Sequence, residues 1–159
     1  MDDITKRVRP EWAISACLCG EPVRYDGRAY DFPVLSDLVR SGAAISVCPE
    51  CLGGLRVPRP PCERISNTLI ADRQGHDRTE AFLQGARRVL EICQRHGIQK
   101  AIFKEKSPSC GVRWRYDGTF TGRLIANEGL TTHLLRYHGI TVYSEEDIPD
   151  LFGMTAGQS

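Results

Sequence analysis

No apolar run in the 159 residues approaches the roughly twenty that a membrane-spanning helix needs, and the start carries no signal-peptide pattern. A membrane or secreted protein is therefore not expected. Excess charge of one sign is missing too: 21 Lys and Arg face 20 Asp and Glu, a net charge of +1. That balance gives no global electrostatic reason to bind DNA, RNA or an anionic membrane, although it is compatible with a local basic patch around a small polar ligand. Histidine is scarce, and the four present show no metal signature: His133 and His138 stand five apart, and His76 and His96 flank a helical stretch. Cysteine is the exception, with seven. An odd count without a leader segment points to a reducing cytoplasm, where thiols serve as metal ligands or core residues rather than in disulfides.

The length suits one domain, residues 1–159, with a core that needs no staples. Residues 1–10, charged and aperiodic, and residues 155–159, small and polar, are expected to fray. Between them strand and helix patterns alternate. Short apolar runs at Glu11–Ala16, Ala43–Val47, Lys100–Lys104 and Ile140–Tyr143 read as strands. Apolar residues at helical spacing mark helices over Asp31–Arg40, from Asp77 to near Gly97, and from about Asn127 to His138. Asp77 followed by Glu80 reads as a capping-box variant, and Leu130, Leu134 and Tyr137 as the buried face of the last helix. Pro58, Pro60 and Pro61 rule out regular structure there and leave a rigid surface segment. The alternation predicts a single α/β domain, a three-layer α/β/α Rossmann-like arrangement around a mostly parallel sheet of four or five strands.

Chemistry collects between Val47 and Arg59, where Cys48, Glu50, Gly53-Gly54, Arg56 and Arg59 share one loop. Pro49 is expected to stop regular structure at Cys48, which leaves the thiol and the Glu50 carboxylate just past a strand end. Cys17 follows the first strand, and Cys110, within Ser107-Pro108-Ser109-Cys110-Gly111, follows the third. If those strands are parallel neighbours, the three thiols meet at the carboxyl edge of one sheet, where open α/β folds bind ligands. One tetrapeptide recurs, Arg24-Tyr25-Asp26-Gly27 as Arg115-Tyr116-Asp117-Gly118. Two Asp-Gly turns account for it; the sharper alternative is that Arg24 or Arg115 faces the shared site.

These blocks resemble, in content and order, the thiouracil desulfidase family: Ser15-Ala16-Cys17-Leu18 with Val23 to Gly27, Cys48-Pro49-Glu50 with Gly53-Gly54-Leu55 and Pro58-Arg59, and Ser107 to Gly111 with Tyr116-Asp117-Gly118 and Phe120. They run from about Ile14 to Glu145. The resemblance implies a four-iron, four-sulfur (4Fe-4S) cluster held by Cys17, Cys48 and Cys110, with one iron left open to a thiocarbonyl sulfur. It implies an enzyme acting on a small thiolated nucleobase such as 2-thiouracil, replacing C=S by C=O with water and releasing sulfide without redox change. Glu50, two residues from a ligand, suits general acid/base work, and Ser107 and Ser109 are candidate donors to the thiobase or the attacking water.

Each assignment has a plainer alternative. Glu50 can be a loop carboxylate paired with Arg56 or Arg59, the serines can serve turns, and Trp114 can pack half-buried rather than stack on a base. The chain departs from the family at Cys19 and Cys51, thiols that either compete for iron or pack as small buried side chains. Cys93 reads as core, and Cys62 has no assigned role. A structural zinc-binding or nucleic-acid-binding module using Cys17, Cys19, Cys48 and Cys51 is the rival from another class, and it leaves Cys110 unexplained. A redox dithiol at Cys48 and Cys51 ranks last, because Leu52-Gly53-Gly54 opens a helix poorly.

Overall fold

The computed structural model describes residues 9–154; the fraying expected of 1–8 and 155–159 lies outside the described residues. In chain order the elements are β1 (Trp12–Ser15), α1 (Pro33–Arg40), β2 (Ala44–Val47), α2 (Pro49–Leu52), β3 (Cys62–Arg64), β4 (Ile70–Asp72), α3 (Thr79–His96), β5 (Lys100–Phe103), β6 (Arg115–Tyr116), β7 (Leu124–Ile125), α4 (Leu130–Tyr137), β8 (Thr141–Ser144) and α5 (Ile148–Phe152). Four strands form the central sheet in the order β2-β1-β5-β8, and every neighbouring pair is parallel.

Side-chain alternation along the strands builds the layers. Trp12 and Ile14 of β1 pack with Leu35 of α1 and Ile148 of α5, while Ala13 faces Val89 and Cys93 of α3 and Leu135 of α4. In β5, Ile102 joins the first group and Ala101 and Phe103 the second. The expected three-layer α/β/α arrangement is therefore formed. Ile14, Ile102 and Phe103 are 0 % exposed, each contributing about 1.5–3 kcal/mol of apolar burial. The order in which strands are added reverses between β1 and β5, which is the position where ligands bind in such folds.

Several local features differ from expectation, each for a physical reason. Pro49 does not stop the chain; it opens the one-turn helix α2 with Cys48 at the N-cap, a place where the missing N–H costs nothing. A Cβ on Gly53 would lie 1.9 Å from the Ala81 carbonyl oxygen, and one on Gly85 1.9 Å from that of Pro49. Backbone thus meets backbone between α2 and α3, and Arg88 of α3 donates to the Leu52 carbonyl at 2.5 Å. Pro58, Pro60 and Pro61 do lie outside regular structure, but directly after them the chain forms β3, unread in the sequence, which pairs antiparallel with β4 because the prolines precede the strand rather than interrupt it. The capping box at Asp77 is not made, since α3 begins at Thr79 and Asp77 accepts from the Thr79 N–H at 2.9 Å.

The inward face of α4 is Thr131, Thr132 and Leu135, and Tyr137 is 80 % exposed. Periodicity of apolar residues misses this because the threonines are buried for their hydroxyls. Thr131 meets Ser109 at 2.6 Å and Thr132 donates to the Cys110 carbonyl at 3.0 Å. The helix face turned inward is the one that holds the Cys110 loop.

After β4, Asp72 closes a turn: Oδ1 accepts from the N–H groups of Gln74 and His76 at 2.9 and 3.0 Å, and Oδ2 meets Arg78 at 3.2 Å. Burial alone would raise its carboxyl, but these donors, with the His76 ring, hold it below the usual carboxylate range. A lowered folded pKa contributes stability above the unfolded value of about 3.9, lost as pH falls through the folded value. Asp72→Asn should therefore destabilise the protein at pH 7 by more than at pH 3.5, read from urea midpoints; an equal loss at both would contradict this. Gly85→Ala should cost about 1–3 kcal/mol in the same measurement, and an unchanged midpoint would show that α2 and α3 are not in backbone contact.

Candidate metal centre

Because β2, β1 and β5 are adjacent and parallel, with Ser15 level with Val47, the segments after them open onto one side. There they line a cavity of about 460 Å³ that contains Cys17, Cys48 and Cys110 together with Glu50, Arg59 and Ser107. Cys17 sits in a single 3-10 turn, Ala16–Leu18, and Cys48 caps α2. Cys110 sits in a turn closed by Gly111 N–H donating to the Ser107 carbonyl at 2.9 Å. Only glycine fits at 111, where a Cβ would lie 2.6 Å from the Trp114 oxygen.

Ser107 takes the turn role that was its plainer alternative, and it also bonds Glu50. Its Oγ accepts from the N–H groups of Ser109 and Cys110 at 3.1 and 3.0 Å, and its O–H donates to Glu50 Oε1 at 3.3 Å. The other Glu50 oxygen takes Arg59 Nη2 at 2.6 Å, with the two side chains 17 % and 7 % exposed. Burial would lower the Arg59 pKa, but Glu50 foremost, then Cys48, raises it above its ordinary value. Ser109 lies behind the wall, fully buried, its hydroxyl engaged by Thr131 and outside the cavity lining.

Burial pushes the Cys17 and Cys48 thiols up to about 12, with the Glu50 charge adding to it. Cys110 is raised well above the thiol range for the same two reasons, partly offset by a hydrogen bond from Ser15. Without metal all three are neutral at pH 7, so any metal must displace their protons.

Cys19 and Cys51 do not line the cavity, and Cys19 Sγ donates to the Ser15 carbonyl at 3.8 Å. Among the described residues no three or more His, Cys, Asp or Glu converge on a single-ion site, so the four-cysteine zinc set is not assembled. Thiols spread around a cavity suit a polynuclear group with several metal atoms, and thiolate is the ligand that iron-sulfur clusters take. The donor set of Cys17, Cys48 and Cys110 fits a cluster.

Of the remaining residues, Cys93 is core, Trp114 is 42 % exposed outside the lining, and no histidine lines the cavity. Cys62, Arg24, Tyr25 and Tyr116 do line it, whereas Arg115 does not. Both Asp-Gly repeats are turns of one kind, Asp26 accepting from Arg28 N–H and Asp117 from Thr119 N–H, each at 3.0 Å.

Two supports escape sequence reasoning. Ser15 Oγ, at the end of β1, accepts from Lys104 N–H at 3.0 Å while serving Cys110, and a serine closing an otherwise apolar strand is the only hint. Glu105 Oε1 gathers the N–H groups of Val112, Arg113 and Trp114 at 2.7, 2.7 and 3.0 Å, bracing the loop that carries Cys110. Nothing in its neighbours distinguishes it from a solvated glutamate.

Residues 13–147 match the profile of the 2-thiouracil desulfurase family. A solved structure described as the [4Fe-4S]-dependent thiouracil desulfidase TudS is similar at TM-score 0.84 and 45 % identity, over 90 % of this chain and 95 % of that one. The uncharacterized protein YbbK of Bacillus subtilis (strain 168) is 36 % identical over 147 residues, 87 % of this chain and 97 % of its own. The cysteine-lined cavity, the parallel sheet that forms it and these likenesses agree: the chain belongs to the 2-thiouracil desulfurase family.

Proposed function

We propose that this protein is an iron-sulfur-dependent desulfidase that converts the C=S of a small thiolated nucleobase such as 2-thiouracil to C=O, with water consumed and sulfide released. The observation that carries this reading is the meeting of Cys17, Cys48 and Cys110 with Glu50 and Ser107 in one cavity. Cys17, Cys48 and Cys110 would hold the 4Fe-4S cluster, which when bound supplies a soft Lewis-acidic iron for a thione sulfur. The likeness to TudS, a [4Fe-4S]-dependent thiouracil desulfidase, supports the same chemistry.

The chain's own residues account for the proton movements. Glu50, with Oε2 held by Arg59, takes a proton from the water at Oε1 and returns it toward the departing sulfur. Ser107 donates to that same Oε1 and keeps the oxygen turned to the cavity. Ser109 is left a bracing part against Thr131. Tyr25 and Tyr116 supply flat apolar surface with polar tips, suited to a planar heterocycle. A cytoplasmic setting belongs to this reading, because thiolate ligands need reducing surroundings.

Cys110→Ala should lose its iron while far-ultraviolet circular dichroism stays unchanged; wild-type iron content would remove Cys110 from the ligand set. Glu50→Gln should keep the visible cluster absorbance and lower kcat by about 10²–10⁴-fold, and near-normal turnover would reject the acid/base role. Cys19→Leu and Cys51→Val should load iron as the wild type does. Loss of iron from either would mean a different set of ligands.

A further inference from the structure

Arg59 lines the cavity, yet three of its five side-chain N–H groups are committed to the protein. Nη2 reaches Glu50 Oε2 at 2.6 Å and the Val23 carbonyl at 3.3 Å, and Nη1 reaches the Arg56 carbonyl at 3.0 Å. Its backbone N–H donates to the Tyr25 carbonyl at 2.8 Å. One guanidinium therefore ties the helix carrying Glu50 to two loops of the cavity wall. An arginine placed to draw in an anionic substrate would hold both terminal nitrogens open to it, whereas both of these bond protein oxygens and a side chain 7 % exposed presents little of itself to a ligand.

We infer that Arg59 is a positioning residue that acts through Glu50, an inference resting on the acid/base reading of that carboxylate. Arg59 occupies Oε2 and thereby leaves Oε1, the oxygen on Ser107, as the one that moves protons. The fork geometry matters as much as the charge. A lysine offers one compact ammonium, which can pair with Glu50 but cannot also hold the Val23 and Arg56 carbonyls from two separate nitrogens. Without the pair, Glu50 on its one-turn helix is free to leave Ser107, and a displacement of about 1 Å is enough to cost roughly 10²-fold in rate.

The test is a double-mutant cycle on the iron-loaded protein: wild type, Arg59→Met, Glu50→Gln and the double variant, with 2-thiouracil turnover expressed per bound cluster. Arg59→Met should lower kcat about 10²-fold and leave KM within about twofold. The double variant should be no slower than Glu50→Gln, because each change disables the same group. Melting temperatures of the four iron-free proteins should show the same non-additivity. If Arg59→Met does not fold, Arg59→Lys carries the cycle, with a loss of about tenfold expected from a point charge without the fork.

A raised, salt-dependent KM with kcat intact would overturn the inference in favour of substrate attraction. Losses that multiply in the double variant would overturn it as well, and so would additive melting shifts. Near-normal turnover in Glu50→Gln alone would instead remove the acid/base reading on which the inference rests, a failure recognisable without any Arg59 variant.

Discussion

Parallel register across β2, β1 and β5 is the constraint on which the centre depends. Ser15 lies level with Val47, and Ile14 with Ile102, so three chain segments run out at one edge within a residue or two of each other. The cysteines that follow need no long reach to share a cavity. A one-residue slip of β1 would turn Trp12 and Ile14 toward the α3 side and move the 3-10 turn that carries Cys17. Burial on both sheet faces forbids that slip, so apolar packing far from the cavity holds the thiols together.

Around the cavity the chain is largely irregular, and seven of its backbone donors are taken by buried carboxylates. Glu105 takes three N–H groups, Glu63 takes those of Gly118 and Phe120 at 2.9 and 3.2 Å, and Asp72 takes two more. Glu50 differs from these in spending its oxygens on side chains, one on Arg59 and one on Ser107. It is also the charge that most consistently follows burial in raising the cavity thiols. Loading a cluster on three such thiols must therefore overcome burial and a nearby carboxylate together, and Arg59 offsets part of that charge.

Much of this is legible in the residues. The four strands of the central sheet show as short apolar runs, three of them opened by Pro10, Gly42 and Gly139, and the meeting of Cys17, Cys48 and Cys110 follows from parallel strands alone. The long helix reads correctly because its apolar face, Phe82, Ala86, Val89 and Cys93, is buried at helical spacing. What is not legible has one main cause: buried polar side chains look solvated in sequence. Thr131 and Thr132 hide the inward face of α4, Ser109 looks as available as Ser107, and Glu105 carries no mark of its role. The one-turn α2 escapes for another reason, because Pro49 reads as a breaker, and a breaker at the first position of a helix is a starter.

The most direct test is anaerobic purification, assay of iron and acid-labile sulfide, and incubation of that material with 2-thiouracil. The account predicts about four iron and four sulfide per chain and uracil formed with one equivalent of sulfide per turnover. A protein that holds the full cluster complement yet releases no sulfide from 2-thiouracil would contradict it.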